Sequence, residues 1–155
     1  GRGSSGVRGI RLKPNDFVVS MSLIPNLENR FILSVTENGF GKRTPIDDYR
    51  MTNRGGQGVA NIECSARNGP VVASYVASED DQIMLVTNSG KLIRIRVHGG
   101  EGDSIRVAGR KTQGVRLFDV EEGEKVVSVA LLSENEDEQD EENSEDVVEN
   151  KNDGK

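Results

Sequence analysis

The sequence has no tryptophan, two tyrosines and four phenylalanines in 155 residues, against 18 glycines. Whatever core it builds is therefore aliphatic and broken up by many tight turns. A single cysteine, Cys64, excludes an intrachain disulfide and a thiolate metal cluster and fits a reducing, cytoplasmic setting. The sole histidine, His98, has no second histidine or nearby cysteine with which to share a metal, and reads as a loop residue. No apolar run approaches the roughly 18–20 residues that a membrane helix needs, and no basic, apolar leader opens the chain. The expectation is a soluble chain without membrane contact. No stretch of ten residues keeps a helical period free of Gly or Pro, so almost no helix is expected. The chain opens at Gly1 with a pattern already in progress, and reads as a fragment.

The charges are divided unevenly. Residues 134–155 hold 11 of the 26 acids and 2 of the 20 bases, leaving 18 bases against 15 acids in 1–133. The overall charge of −6 thus hides a body near +3 and a tail of −9, and local sign sets the field a partner feels. The tail contains only Val147 and Val148 as hydrophobic residues, cannot offset an ordering entropy of about 1–2 kcal/mol per residue, and is expected to be disordered. Tethered to a basic body, it is a polyanion able to compete with nucleic acid for the same surface.

The body shows period-2 runs rich in Val and Ile at Phe17 to Leu23, Phe31 to Thr36, Val71 to Ala77, Ile83 to Thr87, Leu92 to Val97 and Val126 to Leu131, which predict strands. Asn38-Gly39, Asn68-Gly69, Asn88-Ser89-Gly90 and Glu122-Gly123 predict hairpin turns with positive φ. One pattern, Arg-x-x-x-Gly-Val, occurs at Arg2 to Val7, Arg54 to Val59 and Arg110 to Val115, with its glycines 52 and 56 residues apart. Paired valines follow each glycine after 12, 13 and 12 residues, at Val18, Val71 and Val126. A period near 50 with about four strands per unit suits a propeller blade, which buries its faces only against its neighbours. A duplicated sandwich is the alternative. Kelch and WD repeats fit less well, since no Trp-Asp pair occurs. The expected division is three units, about 1–50, 51–106 and 107–133, followed by the tail at 134–155.

Each unit opens on an arginine four residues before a glycine, so that a guanidinium and close-approaching main chain can meet a phosphate. The candidate contacts are Arg2, Arg54 and Arg110 at the repeat position. Around them stand Arg8 and Arg11 after the first loop, Arg50 before the second, and Lys111 and Arg116 beside the third. Lys42 and Arg43 follow a hairpin turn and are expected to be an exposed basic pair. In Leu92 to Val97, alternation places Ile93, Ile95 and Val97 on one face and Arg94 and Arg96 on the other. On radiating blades such residues would trace a basic rim suited to bending duplex DNA without reading its sequence. Aromatic platforms for single-stranded bases are missing.

Four strings carry a resemblance: Arg-Gly-Ser-Ser-Gly-Val-Arg-Gly-Ile-Arg-Leu at 2–12, Thr-x-Asn-Gly-x-Gly-Lys-Arg-Thr at 36–44, Asp-Gln-Ile-Met-Leu-Val-Thr at 81–87 and Gly-Arg-Lys-Thr-Gln-Gly-Val at 109–115. Across 1–133 the chain resembles the carboxy-terminal domain of DNA gyrase A, of the type IIA topoisomerases. The resemblance implies an all-β pinwheel variant of the propeller with strands exchanged between blades. Here about three blades of a partial ring would wrap double-stranded DNA in a positive sense, so that the holoenzyme introduces negative supercoils. It further implies gyrase B and a second copy of gyrase A as partners, a bacterial cytoplasmic location, and ATP and Mg2+ used by the holoenzyme but no cofactor in this segment. The family's Gln-Arg-Arg-Gly-Gly-Lys-Gly box is absent. Asn53-Arg54-Gly55-Gly56-Gln57-Gly58 is similar to a degenerate copy with Gln57 in the lysine position. The equivalent domain of topoisomerase IV and a propeller-like protein-interaction scaffold are the alternatives.

No catalytic residue is expected in this segment. Tyr49 precedes an arginine instead of following one as the family's nucleophile does, and Gly39 to Thr44 lacks phosphate-loop spacing and a following helix. Asp80-Asp81 reads as a turn, and Gly99 to Asp103 as a loop short of calcium ligands.

Overall fold

The computed structural model describes residues 1–24, 28–99 and 104–133. The acidic segment 134–155, and with it the expected disorder, lies outside the described residues, as does most of the 99–103 loop. The described strands are β1 (Phe31–Thr36), β2 (Phe40–Pro45), β3 (Val71–Ala77), β4 (Gln82–Thr87), β5 (Leu92–Arg96), β6 (Val115–Arg116) and β7 (Val126–Leu132). A 3-10 turn at Ile46–Asp48 is the one helical piece among the described residues, and no helix there is long and apolar enough to cross a membrane.

Each sheet grows from a hairpin of alternating β-formers, β1–β2 and β4–β5. Gly39 and Gly90 close these hairpins at φ +75° and +84°, a region costing other L-residues about 1 kcal/mol or more. Both sheets carry a register shift at the matching place, Val35/Thr36 and Val86/Thr87. The strand order is β3-β1-β2-β6 in one sheet and β5-β4-β7 in the other, with every pairing antiparallel.

Strands cross the unit boundaries. β3, which begins at the paired valines of the second unit, pairs with β1 of the first, and β7 of the third unit pairs with β4 of the second. β6 follows the third repeat glycine and covers the outer edge of β2. The fold is thus an all-β, propeller-like pinwheel in which three sequence units share their strands between two sheets among the described residues.

This exchange accounts for two departures from the sequence expectations. Phe17 to Leu23 forms no strand. Its counterparts β3 and β7 each pair with the hairpin of the unit before them, and the described residues contain no such hairpin for it. It lies beside β3, with Ser20 Oγ accepting from the Ser74 N–H at 3.3 Å, and leaves Phe17 and Leu23 75% and 85% exposed. Asn68-Gly69 and Glu122-Gly123 do supply positive φ, +74° and +77° at the glycines. They are not hairpins, however: they steer the chain into β3 and β7 and dock on the preceding unit's hairpin. The Asn38 N–H donates to the Asn68 carbonyl at 3.2 Å, and Asn88 Nδ2 to the Gly123 carbonyl at 3.1 Å.

The core lies where β3 packs against β7, and its buried side chains include Leu33, Val35, Ala73, Ile83, Leu85, Val126 and Val129. Each buried Val, Leu or Ile contributes about 1.5–3 kcal/mol. Tyr75 Oη donates to the Val129 carbonyl at 2.6 Å across the sheets. The three paired valines, Val18-Val19, Val71-Val72 and Val126-Val127, converge on one groove of about 440 Å³.

Candidate nucleic-acid interface

The repeat glycines Gly6, Gly58 and Gly114 have φ of +76°, +74° and +75°, so the recurring Gly-Val answers a backbone requirement common to the three loops. The first two loops lie side by side. Ile10 and Gly56 form a parallel bridge, the Arg11 N–H donates to the Gly56 carbonyl at 2.7 Å, and the Gly55 N–H donates to the Gly9 carbonyl at 2.8 Å. Arg8, Arg11 and Arg54 therefore sit on neighbouring runs of main chain. These three, with Arg2 and Arg50, are exposed and form no ion pair with the described residues.

The third loop is packed onto the first sheet. A Cβ on Gly114 would stand 2.6 Å from the Gly41 carbonyl oxygen, so only glycine fits. Arg110 is half-buried, donates through Nη1 to the Ala60 carbonyl at 2.9 Å, and lies over the Tyr49 ring at 5.9 Å. Arg116 pairs with Asp119 at 2.5 Å and lies over Phe40 at 5.6 Å. Lys111 is exposed.

Lys42 and Arg43 contradict the expectation of an exposed pair: they are 0% and 5% exposed. Their strand is covered by residues 105–110, whose carbonyls they hold. Lys42 Nζ donates to Gly109 and Arg110 carbonyls at 2.5 and 2.9 Å, Arg43 Nε to the Ile105 carbonyl at 2.8 Å, and Thr44 Oγ1 to the Ala108 carbonyl at 2.6 Å. Arg43 also meets Glu79 at 3.3 Å and His98 Nδ1 at 3.3 Å, and stacks over Phe31 at 4.8 Å. Burial lowers the Lys42 pKa, the Arg110 guanidinium lowers it further, and Asp48 opposes both. The pair is a clamp between units, its donors turned onto the carbonyls of the covering segment.

On β5 the expected alternation holds, with Ile93 and Ile95 half-buried, Val97 buried, and Arg94 and Arg96 exposed. Arg94, Arg96 and Gln82 line a shallow depression of about 380 Å³ with Ile95 and Leu117. Sequence reasoning passed over Arg106, an exposed base in the alternating Ile105-Arg106-Val107, and Arg67, whose guanidinium covers Phe40 at 4.9 Å. Asn68, expected only as half of a turn, is fully buried and donates to the Glu63 and Gln113 carbonyls at 2.9 and 3.1 Å. The Asn-Gly pair was the available signal, since a buried side chain of this kind must satisfy both ends. Tyr49 donates to Asn61 Oδ1, and Asn61 Nδ2 donates to Ser34 Oγ at 2.6 Å. Burial pushes the Tyr49 phenol up from its ordinary value, as suits a packing residue.

A strand-exchanged propeller fold carrying basic loops at a repeated position is the frame in which the comparisons with known proteins fall. The family described as DNA gyrase C-terminal domain, beta-propeller, matches residues 1–25, 30–69 and 81–133. The chain belongs to this family. DNA gyrase A of Neisseria gonorrhoeae is 43% identical over 141 residues, covering 89% of this chain and 15% of that protein. DNA gyrase A of Rickettsia bellii (strain RML369-C) is 36% identical over 196 residues, covering 96% and 21%. A solved DNA gyrase A C-terminal domain superposes with TM-score 0.72 at 30% identity, covering 84% of this chain and 42% of the other. The C-terminal domain of DNA topoisomerase IV gives TM-score 0.72 at 29% identity, covering 83% and 38%. The chain thus spans about a fifth or less of the curated relatives' length.

Proposed function

We propose that this chain binds duplex DNA without sequence preference and bends it around its basic surface, as part of a DNA gyrase A protein. The observation that carries this reading is the recurrence of Arg-x-x-x-Gly-Val with one glycine conformation in all three loops, while the bases of the first two loops stand exposed. Phosphate contacts of this kind position a duplex without reading its bases. In the assembled enzyme such wrapping would present a DNA segment for passage, so that ATP-driven strand passage yields negative supercoils in the bacterial cytoplasm. The partners are then gyrase B and a second copy of gyrase A. On this reading ATP and Mg2+ belong to the holoenzyme outside this segment. The equal fit to the topoisomerase IV domain keeps that enzyme as a second reading.

The test is electrophoretic shift with duplexes of about 40 and about 150 bp, the longer being near one persistence length. Wrapping favours the longer duplex by more than the number of available sites predicts. No shift at low salt would contradict DNA binding and leave a protein-interaction scaffold as the better account.

A further inference from the structure

The loop 105–114 has its main chain sorted by polarity. Its carbonyls turn inward: Ala108, Gly109 and Arg110 accept from Thr44 and Lys42, Thr112 accepts from the Glu63 N–H at 3.0 Å, and Gln113 accepts from Asn68. In a trans peptide the N–H of the next residue points opposite to the carbonyl. The N–H groups of Gly109, Arg110, Lys111, Gln113 and Gly114 are therefore aimed away from the body. None of them donates to a group among the described residues. Arg106 and Lys111 are exposed beside them without an ion pair among the described residues. A depression of about 390 Å³ opens here, lined by Arg106, Gly109, Thr112 and Gly114 among others.

We infer that this loop is a phosphodiester seat in which main-chain N–H groups and Arg106 meet the DNA backbone. Lys42 is its positioning residue: it touches no DNA but pulls two carbonyls inward and so turns their N–H partners outward. Successive outward N–H groups form an anion-binding concavity, and a guanidinium adds a charge-assisted contact. Arg110, which the repeat marks as the ligand, is spent on Ala60, and the Arg106 guanidinium takes that task. The inference rests on the DNA-binding reading above and adds the atoms that would make one contact.

The experiment is an amide-resolved NMR titration of the whole 155-residue chain with a short duplex and, separately, with inorganic phosphate, together with duplex affinity against salt for Arg106→Gln. The inference expects the amides of Gly109, Arg110, Lys111, Gln113 and Gly114 to shift saturably with duplex. Arg106→Gln should weaken binding about fivefold and reduce the magnitude of the salt slope by about 0.9. Lys42→Met, if its circular-dichroism spectrum is unchanged, should abolish the duplex-induced shifts of these amides. Should Lys42→Met not fold, the amide titration and Arg106→Gln decide alone. Duplex that binds without moving these amides, with an unchanged slope in Arg106→Gln, overturns the seat and leaves DNA binding standing. Shifts with phosphate but not with duplex overturn it as well, marking a small-anion site. No binding of duplex at all overturns both readings.

Discussion

Arg43 and Arg94 hold the same place in two sheets of one design. Arg43 stands opposite Leu33 in β1–β2, and Arg94 opposite Met84 in β4–β5, with the same spacing from the hairpin and from the register shift. One is 5% exposed and bonded to Ile105, Glu79 and His98, while the other lies on an open face. The neighbouring residues differ likewise: Lys42 is sealed beneath two carbonyls, and its counterpart is Ile93. What separates the two strands is their outer edge. β2 is covered by β6 and by the segment bridged at Arg43 and Val107, whereas β5 is paired on one side only among the described residues. A basic residue on a strand is therefore buried or exposed according to what lies across the edge, and its own sequence neighbourhood does not decide this.

The largest test of this contrast is to remove the paired cations. Lys42→Ala or Arg43→Ala leaves inward carbonyls without donors and a gap in packing, and should cost about 2–4 kcal/mol in urea unfolding. Arg94→Ala should stay within about 0.5 kcal/mol. Equal losses at Arg43 and Arg94 would erase the distinction.

A second test uses glycines on the two edges. Gly114→Ala combines φ +75° with a Cβ only 2.6 Å from the Gly41 oxygen, while Gly90→Ala at φ +84° meets nothing within 4 Å. The strain at Gly90 alone is about 1 kcal/mol, and Gly114→Ala should exceed it by about 1–2 kcal/mol. Thermal denaturation of the two variants ranks them directly.

How much of this was open to a reader of the sequence follows from range. Alternation located β1, β3, β5 and β7 within a residue, and the Arg-x-x-x-Gly-Val repeat located the loops, because both signals are local. The exchange of strands was not local, so Phe17 to Leu23 read as a strand although the described residues hold no hairpin to pair with it. The fate of Lys42 and Arg43 was least legible. The carbonyls that hold them lie 62–68 residues further along the chain, and a hairpin rich in bases looks the same whether or not such a segment covers it. The exposed bases, by contrast, needed only alternation and glycine-rich context to be found.

A smaller effect distinguishes the turns that lead into β7 and β3. Glu124, 6% exposed, accepts from the Glu121 N–H, Ser89, Lys91 and Thr87. The turn before β3 is held instead by the amide of Asn68, which donates to the Glu63 and Gln113 carbonyls. The bonds to Glu124, the Glu121 N–H foremost, lower its pKa from 4.5 to about 2. Since the unfolded chain takes up the proton first as pH falls, this stabilisation is present above about pH 4.5 and is lost as pH falls toward 2. Wild type and Glu124→Gln should therefore converge in stability across that window, as followed by urea midpoints at stepped pH. A constant difference between them would show that Glu124 acts through packing alone.

Bending of DNA by the exposed bases is tested most directly by the handedness of the wrap. Relaxed circular DNA is incubated with the chain, treated with a nicking-closing enzyme and freed of protein, and its topoisomers are then resolved. Wrapping in a positive sense leaves positively supercoiled circles in proportion to the protein bound, whereas an unchanged distribution at saturating protein would contradict the claim that this chain wraps DNA.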